Sequence, residues 1–568
     1  RNRTGSRQRL YRLLPLTALV AGGMVAQAQQ KAQQVLFEEI IVTAQKRSEN
    51  VMDVPIAISV FNAETIASLS ARNLMDLGRF TAGVEMINTK SLQPTYTIRG
   101  VETNDWTVGS DPAAAVYVDG VYAARGAGAE AALVDLARVE VLKGPQGTLF
   151  GRNATGGAIH IISNKPTMAQ RGRVKVSVGD YNRVDGELVI NQPVGDGLAF
   201  RIVGLTRNRD GYVNNLSGPD LNDENQQAFR LGVLWTATDR TEVVWRAEYS
   251  EVDQRSAAQN TLIAPVFELA NPTRRLDPFG DVATDFANRE QLDMFSSSLE
   301  INHVMDAMTF SAVTGWREYK TELDWELDAA NSPDYFFHGR NPEDNDYLSQ
   351  ELRLTGFTGR VKWTFGAGYS RERVSQDSTA LFNLSTLESF AWAEILKNAG
   401  SETSDTFLDV IADLQPRTAA FEPWPEEVRS SGTYESWAVY GDATWGISDR
   451  LNLTGGLRYT RDVTQGDSWD NVSGRIVLDY AASDDAMVYG SVATGFKSGG
   501  FNTFNFGPNI DTSYDGEEIT NYEAGLKGQF LQRRLLLHLA AFFYEYDNLQ
   551  ELKLQGQPVP NYNPVSYT

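Results

Sequence analysis

The chain has 568 residues, of which 42% are hydrophobic and 22% charged, and it contains 48 glycines and no cysteine. This length exceeds one ordinary compact core of roughly 100–200 residues, so it predicts several domains or one large barrel. The lack of cysteine excludes disulfide scaffolds, thiolate metal sites and cysteine nucleophiles. The net charge of -22 argues against nucleic-acid binding, because neutralising phosphate requires an excess of Lys and Arg.

The first 28 residues differ in composition from the rest of the chain. Five arginines precede an apolar stretch over residues 13–25, and Ala26, Gln27 and Ala28 then form a small-x-small cleavage pattern. The pattern predicts an export signal peptide over residues 1–28. A short membrane anchor is the alternative, but the stretch is shorter than the roughly 20 residues needed to span a bilayer and contains Pro15.

Residues 29–53 are predicted to be a mobile segment, because they open with a Gln-rich stretch that has no packing pattern. A short β-prone strand follows, with no pairing partner nearby in sequence. It is either an edge strand of the next domain or a peptide that docks by strand addition onto another protein. The strand consists of seven residues: Glu38, Glu39, Ile40, Ile41, Val42, Thr43 and Ala44.

Residues 54–168 are predicted to form a small mixed α/β domain. Asn62 can cap a helix that carries Ile66 and Leu69, and a second helical stretch carries Leu74 and Leu77. Strand-like runs follow at residues 96–99, 115–118, 139–142 and 158–163. The Gly-rich run 144–157 does not indicate a phosphate-binding loop, because no Gly-Lys-Ser/Thr follows and no helix is predicted to open there; tight turns are the better interpretation.

From residue 172 the hydrophobic period becomes two. In 451–459, for example, Leu451, Leu453 and Leu457 alternate with polar residues. Short turns join some strands, whereas 253–290, 329–346 and 375–429 are predicted as long connections. Strands of around 10 residues with this alternation are typical of an outer-membrane β-barrel. A soluble β-sandwich is the alternative, but its strands usually have only about 5–6 residues.

Several motifs resemble those of the TonB-dependent outer-membrane receptors. They lie at residues 98–100, 116–121, 494–502 and 521–527, and above all in the long run 139–159. The resemblance implies a 22-stranded β-barrel membrane protein with the N-terminal α/β domain as a plug in its lumen: plug 54–168, barrel 172–568. It identifies residues 38–44 as a TonB box. With about fifteen strand candidates and an end in mid-pattern, the barrel is expected to be C-terminally incomplete.

The resemblance also implies a lock between plug and barrel. Arg99 and Lys143 of the plug would pair with Glu523 of the barrel wall; family members often carry Arg where Lys143 stands, and a lysine makes a less bidentate contact. An ordinary lumen-facing charge is the alternative for Glu523. His160 occupies a place where Asn is common and is interpreted as structural. The four histidines are scattered and predict no metal site.

The implied function is active uptake of a scarce solute, with a ferric siderophore as the first expectation, driven through the TonB complex of the inner membrane. The protein would lie in outer-membrane lipid of a Gram-negative bacterium and would be neither an enzyme nor dependent on a cofactor. Predicted ligand contacts are Asn104, Asp105, Trp106 and Arg125.

The sequence leaves several further functions open. An oligosaccharide, aromatic or vitamin-type nutrient would use the same mechanism, and a passive porin is the alternative from another class. A barrel enzyme would need a serine or carboxylate constellation with a partnered histidine, and no spacing singles one out. A signal-transducing receptor would need a further periplasmic domain, for which the roughly ten residues between the predicted cleavage site and the β-prone strand leave no room. Residues 375–429 hold ten acidic and three basic side chains, which disfavours a strongly anionic ligand.

Overall fold

The computed structural model describes residues 40–567. Not described are the segments 88–91, 104–106, 130–132, 256–280, 327–336, 383–423, 502–512 and 557–559, and the single positions 283, 285, 287, 465 and 533. The predicted signal peptide, Glu38 and Glu39 therefore lie outside the described residues. None of the helices in the described ranges combines the length and the apolar character needed to cross a bilayer.

The chain begins its described part with a small hairpin. Strand β1 (Ile41–Val42) pairs antiparallel with β2 (Glu49–Asn50). The prediction that this strand has no partner nearby in sequence was therefore wrong. It is also not an edge strand of the plug sheet, because its partner is the return arm of its own tight turn, in which Lys46 adopts a positive φ of 58°.

The plug is a five-stranded sheet with short α-helices and a separate strand pair. The plug elements are β3 (Ile58–Asn62), α1 (Ala63–Ser68), α2 (Leu74–Gly78), β4 (Val84–Ile87), β5 (Thr95–Ile98), β6 (Ala114–Val118), β7 (Val121–Tyr122), β8 (Leu136–Lys143), α3 (Gly147–Phe150) and β9 (Gly157–Ser163). The sheet order is β3-β8-β9-β6-β7, and β4 pairs with β5. Asn62 caps α1 as predicted, because its side chain accepts a hydrogen bond from the Thr65 amide.

Helix α3 corrects one expectation, because the Gly-rich run does open a helix, although one of only four residues. Tight turns do surround it. Gly144 and Gly151 have φ of 84° and 87°, a backbone conformation that residues with a Cβ rarely adopt.

The second part of the chain is a 16-stranded sheet in which sequential neighbours pair antiparallel, close to the fifteen or so predicted strands. The strands are β10 (Arg171–Gly179), β11 (Arg183–Val194), β12 (Leu198–Arg209), β13 (Glu224–Thr238), β14 (Thr241–Arg255), β15 (Arg289–Val304), β16 (Met308–Glu326), β17 (Phe337–Arg340), β18 (Glu343–Thr358), β19 (Val361–Phe382), β20 (Trp424–Gly446), β21 (Leu451–Thr464), β22 (Asp467–Ser483), β23 (Ala486–Lys497), β26 (Glu517–Phe530) and β27 (Leu535–Asp547). Strand β18 pairs with β16 and β19, and the four-residue strand β17 pairs with the ends of the same two strands.

Two small strand pairs lie outside this sheet: β24 (Gly500–Phe501) with β25 (Ser513–Tyr514), and β28 (Leu549–Gly556) with β29 (Pro560–Tyr567).

Several strands are longer than the sequence predicts. The alternation predicts one long connection over residues 375–429, but β19 continues to Phe382 and β20 begins at Trp424. A strand of 22 residues rises about 70 Å at roughly 3.3 Å per residue, well beyond an apolar band about 25 Å tall. Outside that band no apolar face is required, so the alternation that reveals a strand in the sequence disappears there.

The two faces of the barrel sheet differ as the sequence alternation predicts. On β20, Trp437, Val439 and Trp445 are more than half exposed, whereas Tyr440 and Asp442 between them are buried. The buried side chains face the plug: one hydrophobic cluster joins plug residues such as Phe150 and Tyr117 to Tyr347 and Tyr440 of the barrel strands. The plug therefore fills the concave side of the sheet.

Candidate functional site

The predicted lock brings one of its two plug cations onto Glu523. The Arg99 Nη1 lies 2.7 Å from the Glu523 Oε2, and both side chains are 4% exposed. The Arg99 guanidinium also lies 3.9 Å above the ring centre of Phe542 on β27, and the Tyr489 hydroxyl donates to the Glu523 Oε1 over 2.7 Å. The carboxylate thus receives an ion pair on one oxygen and a hydrogen bond on the other, in a site shielded from solvent.

Lys143 lies near this pair without joining it. Among the described residues no ion pair connects Lys143 to Glu523. Burial lowers the pKa of Lys143, the nearby Arg99 charge lowers it further, and Glu523 raises it. These influences indicate that Arg99 holds the carboxylate, while Lys143 contributes only a longer-range charge.

Gly144 belongs to the same site, although its sequence context predicts only a turn. A Cβ at this position would lie 2.9 Å from the Arg99 Nη1, which leaves no room for a larger side chain. The available signal in the sequence is a Gly-Pro turn directly after Lys143. Which distant arginine needs that space cannot be deduced from local sequence.

The predicted TonB box lies at the end of the barrel where the turns are short. Thr43 is held by Glu140 of β8: its amide and its hydroxyl both donate to the Glu140 Oε1, over 2.9 and 3.1 Å. Val42 and Ala44 on either side are fully buried. In this arrangement the Thr43 amide is bound by Glu140 while Ile41 and Val42 pair with β2, so the described part of the box is engaged within the protein.

Barrel side chains hold the segment that follows the box. The Lys46 Nζ lies 3.1 Å from the Glu351 Oε2 of β18. On β26 the Lys527 ammonium donates to the backbone carbonyls of Val51 and Val54 over 2.9 and 2.6 Å. The segment is thus attached to two well-separated barrel strands.

Neither Glu140 nor Lys527 is among the residues predicted from the sequence. Glu140 is a single charge between Val139 and Val141 in a buried strand, and such an interruption of an apolar run was the available signal. No comparable signal marks Lys527, whose acceptors lie more than 470 positions away in the chain.

The predicted ligand contacts are only partly described. Asn104, Asp105 and Trp106 lie outside the described residues. Arg125 is 8% exposed, and its Nε lies 2.7 Å from the Glu372 Oε1 of β19. A contact between Arg125 and ligand stays a prediction.

His160 lies in β9 beside the box. Its Nδ1 is 3.5 Å from the Thr43 hydroxyl oxygen, and its Nε2 is shielded from solvent without a hydrogen-bond partner. Burial lowers the pKa of His160 to about 4, although Glu140 opposes the shift. Among the described residues no group of three or more His, Asp or Glu side chains is placed to hold a metal ion.

The lowered pKa of His160 predicts a pH-dependent plug stability. Unfolding returns the ring to its ordinary pKa of 6.5, so the unfolded state binds more protons below that value and folding is penalised as the pH falls from about 6.5 towards 4. Between pH 7.5 and pH 5 we expect this group to remove about 2 kcal/mol from the free energy of unfolding. Thermal unfolding in detergent micelles at both pH values, compared with the non-titrating His160→Asn variant, measures it; equal pH dependence in both proteins would contradict the assignment.

Comparisons with known proteins follow the same division of the chain. The family model described as the TonB-dependent Receptor Plug Domain matches residues 50–158, and the one described as TonB dependent receptor-like, beta-barrel matches residues 311–567. The pesticin receptor of Yersinia pestis is 24% identical, over 97% of this chain and 76% of its own length. The ferripyoverdine receptor of Pseudomonas aeruginosa is 22% identical, over 93% of this chain and 63% of its own.

Solved structures agree in fold. The ferric yersiniabactin uptake receptor of Yersinia pestis superposes with a TM-score of 0.70 at 22% identity, covering 88% of this chain and 73% of that one. The ferripyoverdine receptor of Pseudomonas aeruginosa bound to ferripyoverdine gives a TM-score of 0.67 at 17% identity, covering 90% of this chain and 66% of that one. With a matching plug, a matching barrel and a common fold, the chain belongs to the TonB-dependent receptors, which are outer-membrane proteins of Gram-negative bacteria.

Proposed function

We propose that this receptor imports a ferric siderophore across the outer membrane by TonB-dependent active transport. The observation that carries the proposal is the engagement of the box within the protein: Thr43 is held by Glu140, Ile41 and Val42 pair with β2, and the plug packs against the barrel strands. A filled barrel needs an energy source to open, and the outer membrane holds neither an ion gradient nor a nucleotide pool. TonB-dependent receptors work with TonB, which can pull on an exposed strand.

The box must leave its site before TonB can pair with it. Hydrogen bonds to a charged group are worth about 1.5–3 kcal/mol each, so the two bonds to Glu140 form a barrier that ligand binding can offset. We propose a separate role for each of three segments: residues 29–53 contact TonB, residues 54–168 close the bore, and residues 172–568 cross the lipid. The proposed role is transport, without catalysis.

The names of the relatives support iron as the cargo. They include receptors named for ferripyoverdine and ferrioxamine B, and an iron-regulated virulence protein of Vibrio cholerae. A passive porin is the less favoured function, because the buried ion pair between Arg99 and Glu523 holds the plug to the barrel wall.

Radiolabelled iron uptake tests the proposal. The complete gene would be expressed in a host without siderophore receptors of its own, with and without TonB, and supplied with ferric yersiniabactin, ferripyoverdine, ferrioxamine B or a ferric catecholate. We expect saturable accumulation of at least one complex only when TonB is present. Uptake that is equal without TonB would indicate a porin. Accumulation of a labelled oligosaccharide or vitamin, with none of iron, would overturn the choice of cargo.

A further inference from the structure

A buried arginine of the barrel wall lies against the plug. Arg317 of β16 is only 4% exposed. A Cβ at Gly128 of the plug would lie 3.5 Å from the Arg317 Nη1 and 3.6 Å from the Arg317 Cδ, so this side chain packs against the single 3-10 turn Ala127–Ala129. Arg317 is therefore enclosed at the boundary between plug and barrel.

Two of the three nitrogens of this guanidinium have no acceptor within the described part of the chain. The Nε and Nη1 are both shielded from solvent, and neither has a hydrogen-bond partner there. No carboxylate of the described residues forms an ion pair with Arg317 either. Buried polar groups are nearly always hydrogen-bonded, because a buried donor without a partner loses its hydration and gains nothing in exchange. Contacts with the described residues thus leave the charge and two donor atoms of Arg317 unsatisfied.

Neighbouring strands hold carboxylates, but these already bind other arginines. The residues directly opposite Arg317 are a serine on β15 and a tyrosine on β18, and the next position on either side is Glu248 on β14 and Glu372 on β19. The Glu248 Oε2 lies 2.5 Å from the Arg230 Nε. The Glu372 Oε1 lies 2.7 Å from the Arg125 Nε. Arg317 thus lies between two neutralised pairs and belongs to neither.

The surroundings of Arg317 along β16 are apolar. Side chains two residues apart share a face of a strand, so Gly315 and Tyr319 flank Arg317 on the side that faces the plug. A Cβ at Gly315 would lie 2.5 Å from a Val121 methyl carbon, and Tyr319 belongs to a hydrophobic cluster that includes Ala127 of the plug. Because such contacts exclude solvent, a charge between them is poorly screened and attracts an opposite charge more strongly than in bulk water.

We propose that Arg317 binds a small monovalent anion of halide size between β16 and residues 127–129 of the plug. An arginine in a protein cannot neutralise itself by losing its proton, and a buried cation without a partner is strongly destabilising. A single negative charge balances the guanidinium, and the unpartnered Nε and Nη1 supply donors for it. The enclosed position favours an ion of one or a few atoms. The site goes beyond the proposed uptake function and does not depend on it.

Thermal unfolding of the full-length protein in detergent micelles tests the site without any siderophore. Sodium chloride and sodium gluconate would be compared at equal concentration, so that the ionic strength and the cation are the same. Gluconate is too bulky for an enclosed site. We expect chloride to raise the midpoint of unfolding by about 2–4 °C relative to gluconate, with a saturable dependence on chloride concentration.

A variant without the charge shows whether the chloride effect arises at Arg317. Arg317→Met keeps much of the side-chain length and removes the cation, so its midpoint should be the same in both salts. In gluconate the variant should be at least as stable as the wild type, since it no longer buries a lone charge. The matched control Arg230→Met removes a buried arginine that is paired with Glu248, and it should lower the midpoint in both salts but keep the chloride shift.

Bromide locates the anion directly and needs no variant that folds. Crystals of the wild-type protein soaked in sodium bromide should show an anomalous peak beside the Arg317 guanidinium. Equal midpoints of the wild type in chloride and gluconate would overturn the proposal. A chloride shift that persists in Arg317→Met, or bromide peaks confined to other positions, would overturn it as well.

Discussion

Deletion of residues 38–44 is expected to reduce energised uptake to the level of a strain that lacks TonB, while ligand binding stays at the wild-type level. The deletion removes the strand that TonB would pair with, so no force reaches the plug. Binding survives because the described part of the box, Ile40–Ala44, contacts Glu140 and the plug core at the end of the barrel with short turns. Iron uptake and equilibrium binding on whole cells measure the two effects separately.

A point substitution makes the same test without shortening the chain. Ile41→Pro removes a backbone donor and prevents regular strand pairing, so we expect it to match the deletion. Ile41→Val retains a β-branched side chain and should retain uptake, since Ile41 is already 43% exposed and loses only one methylene. Uptake that persists in both the deletion and the proline variant would refute energy transfer through this segment.

Removal of either partner of the lock should loosen the plug. Arg99→Ala leaves the Glu523 carboxylate buried without its cation, and breaking a buried ion pair in this way costs about 3–5 kcal/mol. We expect a comparable loss in the free energy of plug docking, seen as higher conductance in planar bilayers and greater entry of bulky antibiotics. Glu523→Ala should have the same effect, because it leaves the buried Arg99 cation without its carboxylate.

Two further variants distinguish the lock from ordinary surface charge. Arg99→Met combined with Glu523→Leu removes both charges and should recover part of the docking energy; recovery is incomplete because the Tyr489 hydroxyl loses its acceptor. Arg240→Ala breaks an exposed pair with Asp306 and should change stability by less than about 1 kcal/mol. If Arg99→Ala changed the stability as little as Arg240→Ala does, Glu523 would be an ordinary lumen-facing charge.

The parts of this fold that sequence reasoning predicts are those set by local chemistry. Asn62 precedes its helix and caps it, and the alternation of Trp437 and Val439 with smaller or polar side chains predicts which face of β20 is exposed. The motif run 139–159 carries the resemblance to plugged receptors. Each of these signals lies within a few residues of the feature it predicts.

The parts that escaped prediction depend on contacts between distant residues. Lys527 binds the backbone carbonyls of Val51 and Val54, and Gly144 leaves room for Arg99. The sequence around Lys527 or Gly144 does not identify these distant partners. The Arg125 side chain shows a related difficulty. The sequence predicts that the turn near Arg125 faces outward, and only the positions of Thr107, Ser110 and Glu372 reveal how the donors of its side chain are used.

Disulfide cross-linking across the plug-barrel boundary tests most directly whether the plug sits in the bore. A Cβ at Gly315 of β16 would lie 2.5 Å from a Val121 methyl carbon, so Val121→Cys with Gly315→Cys should form a disulfide in intact membranes, against no background thiol. Trp316 is the next residue of β16 and faces outward, so Val121→Cys with Trp316→Cys should not. Efficient closure of the first pair alone is the result we predict; an unreactive first pair, or equal cross-linking of both, would place the plug outside the barrel.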